Sequence, residues 1–185
     1  MPCGDEWRLM KNWVILFART GSEEKLVQIL TQKLNSCEYL PFVPSKEVPY
    51  RRKGIVHNVR KPLFPGYVFV QTDVEAELIA KKMNAVLEDT KDIYSLLHYG
   101  SNKKDVVMRE SERLYWERLF DSEFCIAGSV GFIEGDKICV TSGALMGLEG
   151  QIKRVNRHKR EAVVEMEMMG SKREVTLMLD VVSVV

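Results

Sequence analysis

The stretch Pro62–Val70, with the sequence PLFPGYVFV, constrains the fold more than any other part of the chain. Its two prolines fix φ and push the residues before them toward extended backbone. Gly66 lacks a Cβ and suits a sharp turn or a close approach of two backbones. The residues after it are aromatic and β-branched, which favours a strand. We therefore predict a proline turn leading into a strand, and a buried core strand is the simplest interpretation of the segment.

The composition of the 185-residue chain sets broad limits on its function. Because the formal net charge is only +1, any attraction to nucleic acid must come from a local patch. Cys3, Cys37, Cys125 and Cys139 contain no Cys-x-x-Cys pair, which favours reduced thiols over a disulfide framework. No apolar run reaches membrane-spanning length, and the charged start does not resemble a signal peptide. We expect a cytoplasmic protein without a membrane partner.

Residues 13–121 predict an α+β domain, preceded by a flexible segment at residues 1–12. An apolar run at residues 13–18 has the length of a strand. Thr20 and Glu23 have the spacing of a capping box, so we expect Thr20 to be the N-cap of an amphipathic helix. Further strands and helices alternate after it, which favours an antiparallel sheet covered by helices over a doubly wound parallel sheet.

A basic segment interrupts this domain at residues 46–61. Gly54 marks a turn, and apolar residues alternate on both sides of it, so the segment predicts a projecting β-hairpin. A solvated loop and a surface facing nucleic-acid phosphates are both open interpretations at this point. The cations in question are Arg51, Arg52, Lys53, Arg60 and Lys61.

The chain changes character after residues 122–131, which we predict to be a linker. Short strands separated by glycines follow, and apolar and polar residues alternate most clearly over residues 162–168. Several short strands in so few residues predict a small closed β-barrel at residues 132–185. We expect its tightest bend to need Gly150.

Three stretches, taken in this order, resemble the NusG family of bacterial transcription elongation factors. They are residues 13–17 with the helix that follows, residues 64–70, and residues 135–152, which look like a KOW motif. The resemblance implies an N-terminal NusG (NGN) domain with an antiparallel sheet and helices, and a small all-β SH3-like KOW domain. It also implies a protein that binds RNA polymerase, bridges its DNA channel and is not an enzyme. The candidates for polymerase binding, each with core packing as an alternative role, are Phe17, Phe64, Tyr67 and Phe69.

The KOW-like segment departs from general NusG proteins in its charge. Five of the ten residues 152–161 are Lys or Arg, against one carboxylate. A solvated turn is the alternative, but outward-pointing cations on a barrel suit the phosphates of structured RNA. This feature makes the chain resemble a specialised paralogue, and the LoaP antiterminator group is the nearest resemblance. The RNA-binding candidates are Lys153, Arg154, Arg157, His158, Lys159, Arg160, Lys172 and Arg173.

Three functions are open from the sequence. The first is an antitermination factor that binds RNA polymerase and an RNA hairpin and acts at selected operons, with upstream DNA as a further contact. The second is a general factor that couples polymerase to a ribosomal protein or a termination factor through a loop at Met169. The third is a ribosome-associated KOW protein.

An enzyme has little support in the sequence. His57, His98 and His158 lie in unrelated contexts, without a nucleophile or paired acids beside them. We expect no catalytic residue, no metal and no other cofactor, and we expect a monomer.

Overall fold

The computed structural model describes residues 10–182, and its contacts divide the chain into two compact units. The first unit combines the chain up to Pro44 with Phe64–Leu114. The second combines Ser45–Leu63 with the chain from Tyr115 onward.

The main helices and strands follow one another in the order expected for an α+β protein. In chain order they are β1 (Asn12–Ala18), α1 (Glu23–Lys33), β2 (Tyr39–Phe42), β3 (Ser45–Arg52), β4 (Ile55–Pro62), β5 (Tyr67–Thr72), α2 (Ala76–Glu88), β6 (Ile93–Leu96), α3 (Glu110–Leu119), β7 (Cys125–Ile126), β8 (Ser129–Glu134), β9 (Lys137–Ser142), a 3₁₀ turn (Glu149–Gln151), β10 (Ile152–Asn156), β11 (Glu161–Met168) and β12 (Ser171–Val181).

The first unit is built on a four-stranded antiparallel sheet with the strand order β2-β5-β1-β6. Side chains alternate between the two faces of a strand, so Val14, Leu16 and Val68 share one face. They are buried in one cluster with Leu30 of α1 and Ile79 of α2. Removal of this apolar surface from water is what holds the two helices on the sheet.

The second unit contains two sheets, with the strand orders β10-β11-β12-β8-β9 and β4-β3-β7. The inward face of the larger sheet carries buried apolar residues such as Val164, Met166 and Leu177, at the alternate positions predicted from the sequence. Within the described part of the chain, β9 and β10 are the two edges of this sheet. The α+β fold class is therefore confirmed, with a curled half-barrel in place of a fully closed barrel.

Several local expectations need correction or lie outside the structure. Helix α1 has Ser22 and not Thr20 as its N-cap. The segment predicted as a linker, residues 122–131, contains β7 and the first part of β8, and the domain boundaries stay a prediction. The predicted flexible segment lies outside the described residues except for residues 10–12, as do Cys3 and the end of the chain after Val182. Cys37, Cys125 and Cys139 are free thiols.

The larger sheet requires glycine at Gly131 and Gly143, and not at the predicted position, Gly150. Gly150 lies outside the left-handed region, and a Cβ there would meet no atom of residues 10–182 within 4 Å. A Cβ at Gly131 would lie 2.5 Å from the Cys139 carbonyl oxygen, and one at Gly143 would lie 2.4 Å from the Gly128 carbonyl oxygen. Close approach of backbone segments therefore requires glycine at these two positions and leaves Gly150 unconstrained.

None of the helices in residues 10–182 combines the length and the apolar character that crossing a membrane requires.

Candidate functional site

Pro65 and Gly66 form a tight turn before β5, while Pro62 ends β4. The Tyr67 N–H donates to the Phe64 carbonyl at 3.1 Å, and Gly66 has a φ of +86°. Proline at the second position and a positive φ at the third define a type II turn. A Cβ on Gly66 would lie 3.0 Å from the Ala18 carbonyl oxygen and 3.3 Å from Phe17. The glycine predicted to allow a close approach therefore does so, against the end of β1.

A buried carboxylate holds this turn against the start of α1. Glu23 is 5% exposed, and its two oxygens accept the N–H groups of Gly66 at 2.6 Å and Gly21 at 2.7 Å. Hydrogen bonds to an ionised acceptor are stronger than neutral ones, so this carboxylate ties two distant backbone segments together. The capping-box spacing predicted a role for Glu23 at the start of α1, but it did not predict the hydrogen bond from Gly66.

The turn positions a cluster of aromatic side chains on the face of the sheet away from α1 and α2. Phe17 and Tyr67 are opposite each other in the strand register, and their ring centroids are 5.1 Å apart. Tyr94 of β6 lies 5.6 Å from Phe17 and is 60% exposed. Phe64 is buried and lies 6.2 Å from Tyr67. We call Phe17, Tyr67 and Tyr94 the aromatic surface.

The four predicted polymerase-binding residues do not share one environment. Phe17 and Tyr67 are half-buried and accessible, whereas Phe69 is fully buried and packs edge-on against Trp13. Phe69 is therefore a core residue that lies beside the aromatic surface on the same face of the sheet. Tyr94 was not among the predicted site residues, because nothing in the sequence indicates that its ring contacts Phe17.

The predicted basic hairpin forms, with a two-residue turn at its tip. Lys53 and Gly54 have φ values of +50° and +83°, and Arg52 pairs with Ile55 across the turn. Two positive φ values in a two-residue loop are typical of the type I′ turns that suit β-hairpins.

The cations of this hairpin differ in their surroundings. Arg51, Arg52 and Lys53 are exposed at its tip, and Lys61 is exposed near its base. The Arg60 guanidinium bonds to the Glu123 carboxylate and lies 3.9 Å from that of Asp121. Arg60 is thus held by acidic partners, while the tip remains open to a ligand.

The predicted RNA-binding cations of β10 and β12 are partly neutralised by one carboxylate. Glu165 of β11 lies 2.8 Å from the Lys172 ammonium and 3.5 Å from that of Lys153. The hydrogen bond from Lys172 lowers the pKa of Glu165 below its ordinary value. Arg160 similarly pairs with Asp180 at 3.1 Å.

Three other cations on or near the turn between β10 and β11 are not neutralised in this way. Arg154, Arg157 and Lys159 are exposed, and none forms an ion pair with a carboxylate among residues 10–182. His158, also exposed, lies between two of them. We call Arg154, Arg157 and Lys159 the open basic turn.

Two other predicted site residues, Arg173 and Met169, are not exposed as the residues of this turn are. Arg173 pairs with Met166 in the strand register and so lies on the inward face of the sheet, whereas its neighbour Lys172 lies on the outward face. Met169 is 5% exposed and has a φ of +51°, at the turn between β11 and β12. Little of its side chain is left to contact a partner.

Comparison with known proteins identifies the family. The family model described as "NusG: Transcription termination factor nusG" matches residues 11–114, which is more than half of the chain. This chain belongs to the NusG family. NusG-family proteins are non-enzymatic transcription termination and antitermination factors that bind RNA polymerase. The predictions of a NusG-family factor and of no enzymatic activity are therefore confirmed.

Curated relatives cover nearly the full length of this NusG-family chain. The transcription termination/antitermination protein NusG of Thermus thermophilus is 27% identical over 174 residues, which are 89% of this chain and 94% of that protein. The protein of the same name from Xylella fastidiosa is 22% identical over 177 residues, 91% of this chain and 96% of that protein. A structure described as "Domain interaction in Thermotoga maritima NusG" superposes with a TM-score of 0.52 at 20% identity, covering 91% of this chain and 93% of that one. This likeness supports the fold.

Proposed function

We propose that this NusG-family protein is a specialised, cytoplasmic antitermination factor that acts at selected operons. In this proposal the aromatic surface binds RNA polymerase, and the open basic turn binds an RNA hairpin. In this proposal the chain is a specialised paralogue that resembles the LoaP antiterminators.

The open basic turn is the observation that carries the RNA-binding part of the proposal. Lys153, Lys172 and Arg160 already have carboxylate partners. The three cations of the turn keep their charge available, in a chain whose net charge is only +1. Each phosphate that a cation neutralises releases counterions, so even three such contacts give substantial affinity and a steep dependence on salt.

The aromatic surface supports the polymerase-binding part. Tyr94 leaves 60% of its surface exposed although it contacts Phe17, and tyrosine is enriched at protein interfaces because its ring is apolar and its hydroxyl polar. The Glu23–Gly66 bond fixes the backbone beside Phe17 and Tyr67. A surface held in one conformation before binding loses less entropy on binding.

A general NusG factor that couples polymerase to a ribosomal protein or a termination factor is the second candidate. The names of the curated relatives support it to the extent that they include transcription termination. The burial of Met169 weighs against a partner contact at that loop.

A charge-removal variant tests the RNA-binding part. We expect Arg154→Gln, Arg157→Gln and Lys159→Gln together to lower affinity for a pool of transcribed 5′ leader RNAs by about tenfold or more at low salt. Binding to RNA polymerase should stay unchanged. The matched control removes three exposed cations from the first unit, Lys81→Gln, Lys82→Gln and Lys91→Gln, with the same change in net charge. Equal losses of RNA binding in both variants would show that only net charge matters and would overturn the proposal.

Chromatin profiling of the tagged protein separates the two candidate functions. A specialised factor should occupy a few operons, whereas a general factor should follow RNA polymerase across the genome. Genome-wide occupancy would reject operon specificity and favour the second candidate.

A further inference from the structure

A pocket of about 440 Å³ lies in the second unit between the β3–β4 hairpin and the turn that joins β10 to β11. Its volume is within the range of pockets that hold small molecules or single chemical groups, about 300–1,000 Å³. The residues that line it are Pro49, Arg51, Val56, His158, Lys159, Arg160 and Glu161.

The lining combines apolar and cationic groups. Pro49 and Val56 supply apolar surface, and Arg51 and Lys159 supply exposed cations beside it. Glu161 is the single carboxylate of the lining and offers an acceptor for N–H donors. An apolar surface next to cations and one acceptor matches the chemistry of a nucleotide, which has a flat base, a phosphate and base N–H groups.

The alternation of the hairpin strands decides which cation lines the pocket. Arg51 pairs with Val56 in the strand register, and both line the pocket. Arg52 pairs with Ile55, so these two side chains lie on the opposite face of the same hairpin. Arg51 and Arg52 are both exposed and are neighbours in sequence, yet only one of them lines the pocket.

The base of the hairpin is fixed to the rest of the second unit. The Lys46 ammonium donates to the Thr176 carbonyl at 2.6 Å, and its burial lowers the pKa of this group. The Glu47 carboxylate accepts the Gly128 N–H at 2.8 Å. Because these bonds hold β3 beside β12 and beside the residue that precedes β8, the two walls of the pocket are held together within one unit.

We propose that this pocket binds one unpaired nucleotide of an RNA loop. The base lies against Pro49 and Val56, flanking phosphates contact Arg51 and Lys159, and Glu161 accepts a hydrogen bond from the base. Loop bases are available for this because sequence-specific RNA recognition uses unstacked bases, whereas the deep groove of a paired RNA helix excludes side chains. This inference rests on the RNA-binding function proposed above and adds the hairpin to the site.

An acidic protein segment is the competing ligand class. The structure favours the nucleotide, because the apolar wall offers a planar base a surface that a carboxylate does not need, and because Glu161 can accept a hydrogen bond from a base N–H.

The test compares Arg51→Gln with Arg52→Gln, which remove the same charge from opposite faces of the hairpin. The probes are an RNA stem with a loop of random sequence and the same stem as a blunt duplex. We expect Arg51→Gln to weaken binding of the looped RNA by about tenfold and Arg52→Gln by less than about twofold. Neither change should alter binding of the duplex by more than about twofold. Both variants should unfold at the temperature of the unmodified protein, since both side chains are exposed.

Other outcomes would overturn the nucleotide pocket, the proposed RNA-binding function, or both. Equal effects of the two variants on looped RNA would overturn the pocket and leave the proposed RNA-binding function standing. Failure of the unmodified protein to bind either RNA would overturn both. Displacement of the RNA by polyglutamate at equal concentration of charge would overturn the nucleotide as the ligand and favour an acidic protein segment.

Discussion

Gly66, beside the aromatic surface, is a position where both the backbone conformation and the neighbouring atoms require glycine. Its φ of +86° is unfavourable for any other residue, and a Cβ would be crowded by Ala18, Thr20 and Phe17 at 3.0–3.3 Å. Gly54 has nearly the same φ, +83°, but a Cβ there would meet no atom of residues 10–182 within 4 Å. A side chain at Gly54 would therefore cause backbone strain alone, whereas a side chain at Gly66 would cause both backbone strain and crowding.

Substitution of each glycine by alanine should show this difference. Gly54→Ala should lower the free energy of unfolding by about 1–2 kcal/mol, because only the left-handed backbone is penalised. Gly66→Ala should cost at least about 1 kcal/mol more, because Phe17 and the end of β1 must also shift. Urea unfolding followed by circular dichroism measures both values. Equal costs would show that the contacts around Gly66 relax freely.

Tyr99 gives a prediction on pH. Its hydroxyl donates to the Glu112 carboxylate at 2.7 Å and accepts the Arg109 N–H at 2.9 Å. Burial raises the pKa of Tyr99 above its ordinary value of 10, and the hydrogen bond to Glu112 acts in the same direction. A phenol with a raised pKa in the folded protein contributes stability that is complete below about pH 10 and is lost as the pH rises above it.

We therefore expect the melting temperature to fall above about pH 10, and to fall less steeply in Tyr99→Phe. The slope should be reduced and not abolished, because burial also raises the pKa of Tyr39 and Tyr115. The same variant at neutral pH is the control for the loss of the hydrogen bonds themselves. Parallel curves for the two proteins above about pH 10 would contradict this role of Tyr99.

At the residue scale, the sequence predicted features that depend on the local backbone conformation, such as turns. It did not predict contacts between residues that are distant in sequence. Proline and glycine in residues 64–67 determine the turn type by themselves, so the turn before β5 was predictable. The bond from Gly66 to Glu23 joins residues 43 positions apart. Its partner cannot be identified until β1 and β5 are paired.

The strands of the second unit carry the charge pattern that the next prediction tests. Glu165 on β11 holds Lys153 and Lys172 at 3.5 and 2.8 Å and so limits how basic this face of the sheet is. Glu165→Gln should release both ammonium groups and raise affinity for the leader RNA pool. The slope of log affinity against log salt should steepen by about 0.7–0.9 for each additional phosphate that the released ammonium groups neutralise.

The control for this variant is Glu174→Gln, which makes the same change of charge at the position directly opposite Glu165 on β12. Filter binding over a series of salt concentrations measures both variants. If the two variants raise RNA affinity equally, or neither does, the ion pairs of Glu165 do not control the availability of Lys153 and Lys172.

At the element scale, the sequence predicted the long strands and also the four-residue strands β2 and β6, and missed the still shorter β7. Alternation over residues 162–168 predicted β11 correctly. The two-residue strand β7 has no period to detect, so its segment looked like part of a linker. The glycines that permit close packing, Gly131 and Gly143, were not distinguishable in sequence from Gly150, because the crowding comes from segments that are not neighbours in sequence.

At the scale of the whole molecule, the net charge of +1 does not reveal that the accessible aromatic side chains and the basic surface belong to different units. The accessible aromatic side chains Phe17, Tyr67 and Tyr94 belong to the first unit. The basic hairpin and the open basic turn both belong to the second. The hairpin was predicted as part of the N-terminal domain because of its position in the chain. The sequence does not indicate that Lys46 and Glu47 of β3 bond to Thr176 of β12 and to Gly128.

The aromatic surface is proposed to bind the polymerase, and the basic surface is proposed to select RNA. Binding of three variants to a reconstituted elongation complex of RNA polymerase tests this division most directly. The first is Tyr67→Ser with Tyr94→Ser. The second is the open-basic-turn variant, and the third is Leu78→Ser with Leu114→Ser, which removes two exposed apolar side chains elsewhere on the first unit.

We predict that the aromatic variant loses about tenfold or more in affinity for the elongation complex, while the other two retain it. The opposite result, full binding by the aromatic variant or an equal loss in the leucine control, would contradict the proposed division.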